Sequence, residues 1–382
     1  MSEVGTVVVV GLGVAGEAAA RRLAERGWAT TVVEDRPGEA TRRRAAALGD
    51  LGVAYVETPS PAELVAVVDG AELVVPSPGV PLSHPAITRA RARHIPVWSE
   101  LELAARWSDL AMVAVTGTNG KTTVTTLVER MLTASGWRTV AAGNNDLPLV
   151  DAVAGDPSLD VVVVEASSFG LAHTERFAPE VGVWLNQAED HLDWHGTMEA
   201  YAEAKARVWA AQGPHQVAVA NADDPTVMAR TATIASRLVT FGTDGDWRRS
   251  DGMLTGPGGQ ELLAVDELWR SLPHDVANVL AAAAAAFAAW ATTDGVCAAL
   301  RAFRGLPHRL SRVAEVDGVT YYDDSKATDP HAAAAAVAGF SSVVLIAGGR
   351  NKGLDLSVLA ELSPRLRAVV AIGEASAGVQ RA

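Results

Sequence analysis

The stretch from Val113 to Val124 reads VAVTGTNGKTTV. An apolar run, AMVAVTG at 111–117, leads into Gly117 and Gly120, then Lys121, Thr122 and Thr123. An amphipathic helical pattern, TVTTLVERMLTASGW, follows. A loop that holds phosphate must aim several backbone N–H groups into one concavity. Glycine permits the backbone angles, the next helix adds its N-terminal partial charge, and a lysine neutralises the β- and γ-phosphates. A hydroxyl after the lysine ligates Mg²⁺. The stretch supplies each part, although Val115 stands where the common G-x-x-x-x-G-K-[ST] pattern has its first glycine. An ordinary strand–turn–helix corner does not need Gly-x-x-Gly-Lys-Thr-Thr. The departure is read as a loop of different shape, with Gly117, Thr118, Asn119, Gly120, Lys121, Thr122 and Thr123 as phosphate-binding candidates.

Similar strand-sized runs recur along the chain, among them TVVVVG (6–11), TTVVED (30–35), ELVVPS (72–77), DVVVVEAS (160–167), EVGVWLN (180–186) and QVAVAN (216–221). Two more, SVVLIAGG (342–349) and AVVAIG (368–373), lie near the end. Apolar runs of this length suit strands buried on both faces of a parallel sheet, alternating with helices. The class is α/β, and the chain divides into three Rossmann-like or phosphate-loop domains with mostly parallel sheets: 1–97, 98–302 and an incomplete 303–382.

Hydrophobic residues make up 49% of the 382, enough for sizeable cores. The net charge of −13, without a long basic run, argues against nucleic-acid and membrane-surface partners. The single cysteine, Cys297, excludes a disulfide framework and a cysteine-based zinc site. The N-terminus lacks a basic region and a long apolar run, and Leu280–Trp290 is below membrane-spanning length. A cytoplasmic monomer is expected.

A second glycine pattern opens the chain. In VVVVGLGVAGEAAARRL, Gly11, Gly13 and Gly16 sit between a strand and a helix, and Glu34 and Asp35 end the next strand. Alone this reads as an NAD site with a carboxylate on the ribose. The pattern itself specifies only a diphosphate beside a helix N-terminus, or tight glycine packing with no ligand.

TGTNGKTT closely resembles the ATP loop of the Mur ligase family, the amide-forming ligases of peptidoglycan synthesis. SPGV (77–80), GN (143–144), EASSF (165–169), LNQAEDHLDWHGTMEAYAEAK (185–205), NADD (221–224), GLPHR (305–309), DDSKAT (323–328) and GGRNKG (348–353) occur in that family's order. The combination is most like the D-glutamate-adding branch. The resemblance implies an ATP-dependent amide ligase acting through an acyl phosphate, with UDP-N-acetylmuramoyl-L-alanine and D-glutamate as substrates. With ATP assigned to the downstream loop, it makes UDP the better occupant of the first. It implies UDP-substrate contacts at Val14, Ala15, Glu34, Asp35, Arg36, Ser77, Asn144 and Ser167. ATP contacts are implied at Asp275, Asn278, Arg309 and Asp324, and D-glutamate contacts at Lys326, Thr328 and Lys352. Catalytic roles fall on Lys121, Glu165, His191 and Lys205. Thr122 and Glu165 would ligate one Mg²⁺; His191 and a carbamylated Lys205 would serve a second. From its own context Lys205 reads as a solvated helix charge, and Asp193 and His195 as structural or surface residues.

The chain departs from the family's pattern at Asn145-Asp146, where Ile-Gly is usual, and at Gly170, where a glutamine commonly contacts the muramoyl substrate. Asp275 and Asp329 stand where asparagine is usual. A carboxylate cannot donate to an adenine ring nitrogen, and its charge repels an anion unless paired. The third segment lacks the family's Ser/Phe-bearing motif and offers three candidate strands, near 319–323, 342–347 and 368–372. These departures keep a non-catalytic nucleotide-binding homologue open, as the first glycine pattern keeps an oxidoreductase open. Related amino-acid or folate-type ligases are the nearest enzymatic alternative.

Overall fold

The computed structural model describes residues 5–144, 147–350 and 355–381. Four strands form the first sheet: β1 (Thr6–Val10), β2 (Ala29–Glu34), β3 (Ala54–Glu57) and β4 (Leu73–Pro76), in the order β3-β2-β1-β4, all parallel. Side chains of a strand alternate between faces. Val7 and Val9 of β1 accordingly enter one core while Val8 and Val10 enter another.

The central sheet has six parallel strands: β5 (Ala111–Thr116), β6 (Thr139–Gly143), β7 (Val161–Glu165), β8 (Val181–Trp184), β9 (Val217–Asn221) and β10 (Arg237–Phe241), in the order β10-β9-β8-β5-β7-β6. β5 lies in the middle, so the loop leaving it stands at the centre of the sheet's C-terminal edge, where ligands of open α/β sheets bind. Val113 and Val115 face a core formed with the helices Lys121–Ala134, Pro273–Ala288 and Thr293–Ala302. Met112 and Ala114 face the opposite core, which is continuous with one face of the first sheet. The alanine run 281–286 lies fully inside the first of these cores. Cys297 is buried, its thiol donating to Leu262 O at 3.2 Å, as a core filler would.

Three antiparallel strands, β11 (Arg248–Ser250), β12 (Met253–Thr255) and β13 (Glu261–Ala264), form a small sheet, with the Gly-Pro-Gly-Gly turn between the last two. The third segment holds an antiparallel hairpin, β14 (Ser311–Val316) and β15 (Val319–Asp323), and a parallel pair, β16 (Val343–Gly348) and β17 (Leu366–Ile372). Among the described residues it therefore has four strands where three were expected; β14 was missed.

Burial on both faces, expected of every apolar run, fails in β16 and β17. One side of this pair packs on Val337, Leu359 and Leu362. On the other, Ile346 is 65% exposed, and Val344 and Ile372 are also exposed. The runs form strands as read, but among the described residues no layer covers their second face.

Candidate functional site

The loop after β5 carries no side-chain cap. Gly120, the residue before the helix Lys121–Ala134, has φ 89°, a conformation that costs a side chain but not glycine. The helix has no acidic residue in its first turn, so its N–H groups and partial positive charge stay available to an anion. Lys121 folds back over the loop, its Nζ donating to Gly117 O and Thr118 O at 2.8 Å each. Burial holds its amine below the usual lysine range, against the attraction of Glu165 and Asp190.

Every neighbouring segment reaches this loop. Asn186 grips Asn119, its Oδ1 accepting from Asn119 N at 2.9 Å and its Nδ2 donating to Asn119 O at 3.0 Å. From the helix Pro273–Ala288, Asn278 Oδ1 stands 2.5 Å from the position a Cβ on Gly120 would occupy. From the third segment, Arg309 donates to Thr122 Oγ1 at 2.7 Å, and Asn119 Nδ2 donates to Asp329 Oδ1 at 3.4 Å. Asp324 accepts from Leu310 N at 2.9 Å and is raised above the usual aspartate range by burial.

Lys205, on the helix Met198–Ala210, is wholly buried, which overturns the reading of a solvated charge. Its Nζ donates to Gln187 Oε1 at 2.7 Å and to Thr118 Oγ1 at 3.1 Å, and lies 3.1 Å from the Tyr201 ring centre. Desolvation, helped by nearby Lys121, pushes this amine down to about 5. Asp190, not singled out from sequence, is buried beside the site and lies 3.2 Å from His191 Nε2. His195 is buried, with a ring nitrogen 2.9 Å from Ser168 Oγ, and Asp193 is exposed.

Glu165 ends β7 beside Val115, with its carboxylate 3.3 Å from Asn144 Nδ2. It also lines a cleft of about 280 Å³ between the first and central sheets. Val14, Ala15, Ser77, Asn144 and Ser167 line this same cleft. The other three proposed UDP contacts do not. Glu34 is buried and spends both oxygens on backbone, accepting from Leu12 N and Arg36 N at 2.8 Å each. Asp35 pairs with His84 at 2.7 Å, and Arg36 is exposed. Glu100, missed from sequence, lines the cleft too; burial raises its carboxyl to about 7.

The departures have local explanations. Asp275 is 2% exposed, but Arg270 clamps both of its oxygens at 2.6 and 2.7 Å, so its charge is paired. Asp329 caps the helix Pro330–Ala338, accepting from Ala332 N at 2.9 Å. A Cβ on Gly170 would meet Leu101 Cδ1 at 2.9 Å: leucine occupies the space a longer side chain would need. Asn145 and Asp146 lie outside the described residues, as does Lys352. Lys326 and Thr328 are exposed. Among the described residues no three His, Cys, Asp or Glu side chains are grouped to hold a metal ion.

A phosphate loop at the centre of a parallel sheet, beside a second glycine-corner domain and touched by a third segment, defines a multidomain nucleotide-binding α/β protein. Residues 115–286 match the Mur ligase middle domain, and residues 5–99 match the MurD-like N-terminal domain of Mur ligases. The UDP-N-acetylmuramoylalanine–D-glutamate ligase of Frankia casuarinae is 46% identical over 377 residues, covering 96% of this chain and 79% of that one. Its counterpart in Shouchella clausii is 41% identical, covering 96% and 82%. The chain belongs to the Mur ligase family. Among solved structures, a pseudomurein peptide ligase type C from Methanothermus fervidus shares the fold with TM-score 0.61 and 18% identity, over 99% of this chain and 87% of that one. UDP-N-acetylmuramate-alanine ligase from Thermotoga maritima does so with TM-score 0.58 and 21% identity, over 99% and 87%.

Proposed function

We propose that the chain is an ATP-dependent ligase that joins D-glutamate to UDP-N-acetylmuramoyl-L-alanine. The observation that carries this reading is the position of Glu165. It lines the cleft shared by Val14, Ser77 and Asn144 and stands in register with Val115, just before the phosphate loop. A substrate carboxylate at that end of the cleft and an ATP γ-phosphate on the loop would meet there. In this reading 1–97 serves the UDP moiety, 98–302 the ATP, and 303–382 the amino acid.

The substrate carboxylate attacks the γ-phosphorus, the bond to the β-phosphate oxygen breaks, and ADP leaves. The D-glutamate amine then attacks the acyl carbon, the acyl C–O bond breaks, and inorganic phosphate departs carrying the proton that the amine gives up. Lys121 releases its two carbonyl partners to meet the phosphates, and Arg309, releasing the Thr122 hydroxyl, adds a second cation. Asn278 and Asp324 serve ATP, with Arg270 neutralising Asp275 beside them. Lys326, Thr328 and Lys352 receive D-glutamate.

The donor set fits Mg²⁺. Mg²⁺ keeps several waters and takes one or two carboxylates plus substrate phosphates, so no all-protein cage is required. The Thr122 hydroxyl and Glu165 carboxylate would hold one ion, and His191 with a carbamate on Lys205 a second. When bound, the metal neutralises charge on the transferring phosphoryl group. A buried neutral amine is the form of Lys205 that reacts with CO₂.

The test is phosphate release with a panel of UDP-muramoyl acceptors and amino acids. Release is expected only with UDP-N-acetylmuramoyl-L-alanine and D-glutamate together, lost in Lys205→Ala and partly restored by acetate. Equal turnover with another amino acid would reassign the amino-acid substrate, and no turnover with any pair would favour a non-catalytic nucleotide binder.

A further inference from the structure

The helix Glu100–Trp107 forms a wall of two cavities. Its first turn, Glu100 and Leu101, lines the substrate cleft at the C-terminal edge of the first sheet. Its last turn, Arg106 and Trp107, lines a groove of about 720 Å³ at the opposite edge, where Trp28 precedes β2 and Leu73 begins β4. The groove is thus separate from the cleft and from the phosphate loop, and its volume is that of a small-molecule site.

Its lining combines two chemistries. Three indoles, Trp28, Trp98 and Trp107, supply flat apolar surface. Trp98 is 5% exposed, and its N–H is buried without a hydrogen-bond partner. Three arginines share the groove. Arg106 stacks 3.6 Å from the Trp98 ring centre and is neutralised by Glu102 and Glu175 at 2.7 and 3.0 Å. Arg26 lies 4.4 Å from the Trp107 ring centre. Neither Arg26 nor Arg176 forms a salt bridge among the described residues. On a chain of net charge −13, two guanidinium groups outside any salt bridge stand beside three indoles and are free to meet an anion. Indole faces select planar rings, and the guanidinium fork matches a carboxylate or phosphate.

We propose that this groove is a second ligand site, for a planar aromatic group bearing a carboxylate or phosphate. The proposal is independent of the ligation reaction and stands or falls separately from it.

The test uses the full chain without added nucleotide, because UMP and ADP are themselves planar aromatic phosphates; the arginine variants distinguish the groove from the nucleotide loop. 1-Naphthyl phosphate is titrated by calorimetry and by tryptophan fluorescence. Saturable one-to-one binding with indole quenching is expected, and Arg26→Gln and Arg176→Gln should each weaken it about tenfold. Both arginines are exposed, so these variants should melt with the parent. Neutral 1-naphthol and inorganic phosphate, each carrying half the chemistry, should bind far more weakly. Absence of saturable binding overturns the proposal, as does unchanged affinity in the double arginine variant. Equal binding of 1-naphthol removes the anion site.

Discussion

The two glycine corners have the same outline, a buried strand, a glycine turn and a helix, yet they use it differently. In the first, a Cβ on Gly16 would stand 2.2 Å from Gly11 O, so the glycine lets helix and loop touch. The acid that would mark an NAD ribose, Glu34, bonds the loop's own Leu12 N–H. In the second, the helix N-terminus carries no acid and no side-chain cap, and a lysine lies folded across it. The first corner is built for close packing beside a cleft; the second leaves a concentrated positive site open. A glycine pattern fixes how near the backbones come, and the charges around it decide what binds.

The largest effect should fall on the second corner. Lys121→Ala is expected to reduce ATP-dependent phosphate release by about a thousandfold, on the scale of removing one preorganised charge donor from a reacting centre. The circular dichroism melt should move little, because the lysine's partners are loop carbonyls. Turnover near that of the parent would take this corner out of the mechanism.

In the first corner the cost should appear in folding. Gly16→Ala drives a methyl into a backbone carbonyl that cannot rotate away, and overpacking of this kind costs about 3 kcal/mol. The urea midpoint should drop accordingly while ATP affinity holds. An unchanged midpoint would mean that helix and loop have room to separate.

Glu34→Gln is a milder probe of the same corner. One oxygen that accepts a backbone N–H becomes an amide donor, and the charge assisting the other bond is lost, for about 1–2 kcal/mol. Calorimetry on the parent should show UDP binding more tightly than NAD, because this carboxylate is already committed. NAD binding the tighter of the two would reverse that assignment.

Much of this contrast was legible in the sequence, because strand-sized apolar runs and glycine turns are local signals. The central sheet's β5, β7, β8 and β9 fall where their apolar runs stand. β3 (Ala54–Glu57) and β6 (Thr139–Gly143) were not among the runs singled out; both are short, and their alanines and glycine weaken the β pattern. Ile346 shows a different limit: an apolar run says that a strand can be covered, and only the neighbouring layers say whether it is. In the site, the loop residues were readable from type and spacing. Lys205 was singled out only by family resemblance, since its burial depends on a helix packing against a loop 87 residues away in sequence. The partners of the site's buried charged groups, Arg270 on Asp275 and Gln187 on Lys205, left no readable pattern: the first pair spans five residues across a helix N-terminus and the second spans 18.

Asp329→Asn should give the smallest effect and the sharpest distinction. Unlike Asp275, Asp329 forms no salt bridge among the described residues, though it is 6% exposed and reaches Asn119 in the phosphate loop. Asparagine caps a helix about as well as aspartate, so the bond to Ala332 N survives and stability should change by no more than about 0.5 kcal/mol. The charge beside the loop disappears. Near the protein surface, where the effective dielectric is about 20, a single charge about 15 Å from phosphate is worth about 1 kcal/mol, and more if closer. ATP should therefore bind about fivefold more tightly to the variant, and the gain should shrink as salt is raised, because screening weakens the repulsion that was removed. The measurement is ATP affinity by calorimetry at two ionic strengths, alongside a thermal melt. An unchanged affinity would show that Asp329 acquires a counter-charge when ATP binds, and so behaves in the complex as Asp275 does beside Arg270.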